Sequence, residues 1–161
     1  MQHNADDLLA LAALMGKLSA AFAASEPADA CVDPRDQLCL AEVSLQGKHL
    51  EDAERLAEVA ARACGAQESR VLTQALRLRA KLLCRRREYK AAADVLHEAL
   101  APTDGEPMAR AEVHLHLSKI YEHKLMDLEQ ALRHAGQSRL AEDAVAYERR
   151  MKRLVRRTAR D

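Results

Sequence analysis

Arg77, Lys81 and Arg85 follow one another at steps of four, which on a helix makes a single ridge of cations. Guanidinium and ammonium groups so placed form charge-assisted hydrogen bonds to carboxylates or phosphates. A second concentration of charge lies near the end of the chain. Arg149, Arg150, Lys152, Arg153, Arg156, Arg157 and Arg160 all fall within residues 149–160. Met151, Leu154, Val155 and Thr158 form the apolar side of that segment, continuing from Ala144 and Tyr147. A helix with this pattern presents a nearly all-positive polar face, suited to phosphate contact. No aromatics are interleaved for stacking on bases.

Groups that could perform catalysis are poorly placed for it. His114 and His116 are two residues apart and point to different sides of a helix. His116 and His123 share a face, but no acid or cysteine completes a tetrahedral ligand set at useful spacing. These histidines are expected on the surface or in a groove. Cys31, Cys39, Cys64 and Cys84 are irregularly spaced and include no CxxC pair, so they are expected to be small buried hydrophobes in a reducing compartment. No Gly-rich phosphate loop, nucleophile elbow or HExxH occurs. The expectation is a chain with no catalytic residue of its own, no metal and no cofactor.

The elements that must position these charges follow from composition and spacing. The chain has 161 residues, 48% of them hydrophobic and 31% charged, with only three Tyr, one Phe and no Trp. Strong helix formers dominate and no long alternating run occurs, which predicts an all-helical domain. No apolar run approaches the roughly 20 residues of a membrane span, and the start of the chain is no secretory signal, so a cytoplasmic setting without membrane contact is expected. Net charge is zero but unevenly spread. Residues 1–40 carry Asp6, Asp7, Glu26, Asp29, Asp33 and Asp36 against Lys17 and Arg35, whereas the last forty are basic.

A period of 39 residues organises the middle of the chain. Ala53, Ala92 and Ala131 are so spaced, as are Leu50, Tyr89 and Leu128 before them and Ala57, Leu96 and Ala135 after. Ala41 and Ala80 keep the same interval, and Ser118 falls one residue short of the next step. Self-similarity at such a period marks stacked supersecondary units. Helices are predicted near 6–24, 34–47, 50–64, 68–86, 88–101, 107–125, 127–138 and 140–160, with Asp33 capping and Pro34 at the first helical position. Residues 26–33 read as a linker. In the first helix Leu8, Leu11, Met15, Leu18 and Phe22 recur at steps of three and four, a narrow apolar seam. That seam is expected either to dock on the helix at 34–47 or to form a homodimer.

The repeated pattern resembles the tetratricopeptide repeat. It reads Leu40, Ala41, Leu50, Ala53, Ala57 and Ala60 in the first unit, and Leu76, Ala80, Leu83, Tyr89, Ala92, Leu96 and Ala99 in the second. In the third it reads Leu117, Ser118, Tyr121, Leu128, Ala131 and Ala135, with one extra residue in the turn. The resemblance spans residues 34–139, divided as 34–67, 68–106 and 107–139, although the period is longer than the family's and Arg79 stands where an apolar residue is common. It implies an all-α fold, an α-α superhelix of about three helical hairpins, with an extra helix at 1–25 and a basic capping helix at 140–161. It also implies a groove lined by the first helix of each hairpin. That face would present Glu42 and Gln46, then Arg77, Lys81 and Arg85, then His116, Lys119 and His123. Such a groove suits a protein segment, an acidic one above all.

A narrower resemblance touches both ends. LSKIYEHKLMDLEQALRHA, followed by ERRMKRLVRR, is similar to the C-terminal repeats of bacterial ribonuclease-H-like exonucleases of the DEDD type. In that family a nuclease domain precedes the repeats. HNADDLLALAALM fits as the tail of such a domain, with His3 and Asp7 matching its last motif. The resemblance implies that Asp7 is the last of four metal-binding carboxylates, the others lying upstream of Met1. Two-metal catalysis needs several carboxylates converging on ions about 4 Å apart, so no nuclease activity is expected of this chain alone. The functional expectation is a non-catalytic interaction module, exonuclease-associated, binding a protein segment. The alternative is a nucleic-acid-binding module using the basic groove and Arg149, Arg150, Arg153, Arg156, Arg157 and Arg160.

Overall fold

A computed structural model describes residues 2–23, 33–65, 67–103 and 106–159. Eight α-helices and no strands occur among the described residues, in agreement with the all-α expectation. The chain divides into two compact units, Met1–Gly65 and Ala66–Asp161.

The first unit holds α1 (Gln2–Ala23), α2 (Pro34–Gln46) and α3 (Leu50–Ala63). Asp33 starts α2 as expected: its carboxylate accepts the N–H of Arg35 at 2.8 Å, and Pro34 occupies the first turn, where a missing N–H costs nothing. α2 and α3 form an antiparallel hairpin. Ala41, Ala53, Leu56, Ala57 and Ala60 are fully buried within this unit. Small residues at the crossing let the two backbones approach closely.

The second unit holds α4 (Ser69–Arg85), α5 (Tyr89–Glu98), α6 (Pro107–Ile120), α7 (Leu128–Gln137) and α8 (Ala144–Thr158). α4 pairs with α5, α6 pairs with α7, and α8 packs on α7. Short 3₁₀ turns, Ala101–Thr103 and Arg139–Ala141, lead out of the two hairpins. Asp127 and Asp143 cap α7 and α8 by accepting the N–H groups of Gln130 and Ala146 at 3.0 and 2.8 Å.

The turns show how the period is kept. Three non-glycine residues have left-handed backbones, Lys48, Arg87 and Met126, with φ of 64°, 66° and 58°. They are themselves 39 apart. After α2 and α4 the helix end is closed by a hydrogen bond spanning five residues, His49 N–H to Ser44 O and Glu88 N–H to Leu83 O. After α6 the closing bond spans six, Asp127 N–H to Tyr121 O, because residues Tyr121–Leu125 widen into a π-turn. The extra residue of the third unit is absorbed there. The interval from small residue to small residue grows from twelve (Ala41 to Ala53, Ala80 to Ala92) to thirteen (Ser118 to Ala131), yet the crossing survives. Ser118 is fully buried and its hydroxyl donates to Ala131 O at 3.0 Å.

Among the described residues, no helix is long and apolar enough to cross a membrane.

Candidate functional site

On α4 the polar stripe runs Arg70, Gln74, Arg77, Lys81, Arg85, and on α6 it runs Glu112, His116, Lys119, with the exposed apolar Met108 one turn before them. The two stripes face one another across the second unit. Arg77 is half-buried and its Nη1 pairs with the carboxylate of Glu112. Lys81, Arg85 and Lys119 are exposed and have no carboxylate partner among the described residues. His116, on the α6 row, is half-buried. Burial pushes its imidazole down to about 4, and the positive charges of Arg77, Lys119 and Lys81 push the same way, with Glu112 in partial opposition. The ring is therefore neutral at pH 7, and one half-buried site is ringed by three cations.

Toward the start of these helices the stripes border a cleft of about 440 Å³, lined by Arg70, Thr73, Gln74, Arg77, Met108 and Glu112 among others. That size is within the roughly 300–1,000 Å³ of small-ligand sites. The Nε of Arg77 is buried there without a hydrogen-bond partner. His123, expected on the groove, is exposed, with its Nε2 3.5 Å from Glu122. Glu42 and Gln46 are exposed on α2, in the first unit.

The terminal helix departs from a simple charged face. Arg150 is buried and forks onto Glu142, with Nε and Nη2 donating at 3.0 and 2.9 Å. Arg153 forks onto Glu122 at 2.7 and 2.8 Å, and Arg157 donates to the same carboxylate at 3.2 Å. Glu122 sits in the π-turn with no exposed surface. The Arg153 hydrogen bonds hold its carboxyl below the usual carboxylate range, against a desolvation that would raise it. Three of the six candidate phosphate-binding arginines are thus occupied within the fold. Arg149 and Arg156 remain exposed, as does Lys152, and Arg160 lies outside the described residues. The one sequence signal was Glu122 itself, an acid one helical turn beyond Ser118 of the small-residue series.

The histidines require a correction. His114 is not a surface or groove residue: it is 4% exposed, and it packs against His134, which is 6% exposed. His114 does point away from His116, as its spacing predicts, but that side of α6 is the one covered by α7. The two Nδ1 atoms are 2.9 Å apart, and Tyr121 stacks on His134 with centroids 5.6 Å apart and an interplanar angle of 5°. His97, from α5, is 5.3 Å from His134 and its Nε2 is 3.1 Å from Tyr121 Oη. The Nε2 of His114 is buried with no partner. The least costly tautomer leaves that nitrogen unprotonated and lets Nδ1–H donate to His134, since an orphaned donor costs more than an orphaned acceptor. Among the described residues, no group of three or more His, Cys, Asp or Glu is arranged to hold a metal. The cysteines are not the buried residues expected: Cys39 is exposed on α2, Cys64 and Cys84 are half-buried at helix ends, and Cys31 lies outside the described residues.

Leu11, Met15 and Leu18 of the α1 seam are 55%, 58% and 38% exposed, so these three do not dock on α2. The side chains of Leu8 and Phe22, and those of His3 and Asp7, lie outside the described residues. Comparison of the chain with protein-family models, with characterised proteins and with solved structures gives no match.

Proposed function

We propose that this chain is a non-catalytic interaction module that binds an acidic protein segment along the face shared by α4 and α6. The observation that carries this reading is the imbalance of that face. Glu112 is offset by Arg77, whereas Lys81, Arg85 and Lys119 have no carboxylate partner among the described residues. Unpaired cations on facing helices attract a ligand that supplies the missing charge and fix its register through charge-assisted hydrogen bonds.

The finer architecture we propose is an α-α superhelix of three tetratricopeptide-like hairpins, supported by the recurrence of a left-handed turn residue at Lys48, Arg87 and Met126. The module belongs, in this proposal, with a ribonuclease-H-like exonuclease in a bacterial cytoplasm. Support for that parentage is confined to the sequence resemblance at the two ends.

A nucleic-acid reading has one observation in its favour, the exposure of Arg149, Lys152 and Arg156 on α8. Fluorescence anisotropy separates the two. A labelled peptide of alternating Glu and Leu should bind with a shallow salt dependence. A labelled oligonucleotide should bind weakly if at all. Oligonucleotide binding that is the tighter of the two, and falls steeply on a log–log plot against salt, would overturn the peptide reading.

A further inference from the structure

The ring cluster joins two hairpins. His97 comes from α5 of the second hairpin; His114, Tyr121 and His134 come from the third. His134 is the hub, 5.2 Å from His114, 5.3 Å from His97 and 5.6 Å from Tyr121. The hydrogen bonds join His114 to His134 through the two Nδ1 atoms, one donating and the other accepting, and His97 to the Tyr121 hydroxyl.

The charged groups around the cluster do not prepare it for a proton. α5 contributes Asp94 near Tyr121, and α6 contributes Arg110 near His114. The cap of α7 contributes Asp127, whose carboxylate is engaged by the Gln130 N–H, and α7 itself contributes Arg133 near His134. Neither aspartate is hydrogen-bonded to an imidazole among the described residues.

We propose that this cluster is an acid-operated latch that holds α7 against α5 and α6, closed while the rings are neutral and opened when His134 or His114 takes up a proton. A proton on His114 Nε2 creates a buried donor with nothing to accept it. Protonating the other partner of the pair sets two Nδ1–H donors against each other at 2.9 Å. His97 is already exposed; a charge on His114 or His134 is relieved by the fuller hydration these two buried rings gain when α7 parts from α5 and α6. Burial holds both imidazoles low, His134 at about 4, which is the resistance expected of a closed latch.

Hydrogen exchange between pH 7.5 and 4, corrected for the intrinsic pH dependence, tests the latch. In the wild type, amides of α5, α6 and α7 should lose at least about tenfold protection with a midpoint between pH 4 and 6.5, while α2 and α3 keep theirs. His134→Phe keeps a stacked ring that cannot be protonated and should move the midpoint to lower pH by about one unit. His134→Gln removes the titration with a smaller side chain and should move it the same way. The latch is refuted if both variants keep the wild-type midpoint, or if α2 and α3 lose protection together with α5–α7. None of these readouts depends on a groove ligand, so the latch and the groove fail separately.

Discussion

Glu122 has no exposed surface, yet its carboxylate receives two hydrogen bonds from Arg153 and one from Arg157. Removing one member of a buried pair costs more than the pair itself contributes, because the remaining group is left uncompensated. Glu122→Gln should therefore destabilise the second unit by about 2–3 kcal/mol in urea denaturation, less than a fully buried pair because Arg153 is partly exposed. Two pH windows separate the residues responsible for acid lability. His134 and His116 are held at about 4, below the ordinary imidazole value of 6.5, so the unfolded chain takes up protons first. Their contribution is complete above pH 6.5 and is lost as pH falls toward 4. The depressed Glu122 carboxylate contributes above its unfolded value of 4.5 and loses that contribution only as pH falls through its lower folded value. Loss of stability between pH 6.5 and 4.5 should accordingly persist in Glu122→Gln and shrink in His134→Phe. Left-handed Arg87 offers a test of the opposite sign. Arg87→Gly should raise stability by about 0.5–1 kcal/mol, since glycine adopts that backbone without the Cβ clash.

At the scale of elements, α1 and α8 contrast. α8 is held by fully buried Leu154 against Leu128, Ala131 and Ala135, and by the two arginine forks. α1 leaves Leu9, Leu11, Leu14, Met15 and Leu18 exposed. A seam at three-and-four spacing is completed by a second copy of the same seam, so the expected solution state is a dimer through α1. Light scattering should give twice the chain mass, and Leu11→Asp should return it to the monomer. A wild-type mass that is already monomeric would remove the dimer. The helix crossings make a further demand. Ala92 and Ala131 have no exposed surface where their helices cross α4 and α6, and Ala92→Leu should cost about 1–3 kcal/mol by overpacking.

At the scale of the whole chain, the helices were legible because their signals are local. Asp33, Pro34 and the 39-residue recurrence of alanine each act within a few residues or by repetition. What could not be read was contact between segments far apart in sequence. Arg153 lies 31 residues from Glu122, and His114 lies 20 from His134. A count of basic residues in 149–160 records charge but not whether a carboxylate waits elsewhere in the fold. Likewise His114 and His116 alternate correctly around α6, but spacing does not say which side another helix covers. The π-turn was visible only as Ser118 falling one residue out of step.

The central claim, an acidic segment held on the face of α4 and α6, is tested most directly by amide chemical-shift mapping with an unlabelled peptide of alternating Glu and Leu. The shifts are expected at Arg77, Lys81, Arg85, His116 and Lys119, and should vanish in Lys81→Glu/Lys119→Glu while α2 and α3 stay unmoved. Shifts confined to α8 around Arg149, Lys152 and Arg156, or surviving that charge reversal, would contradict the account.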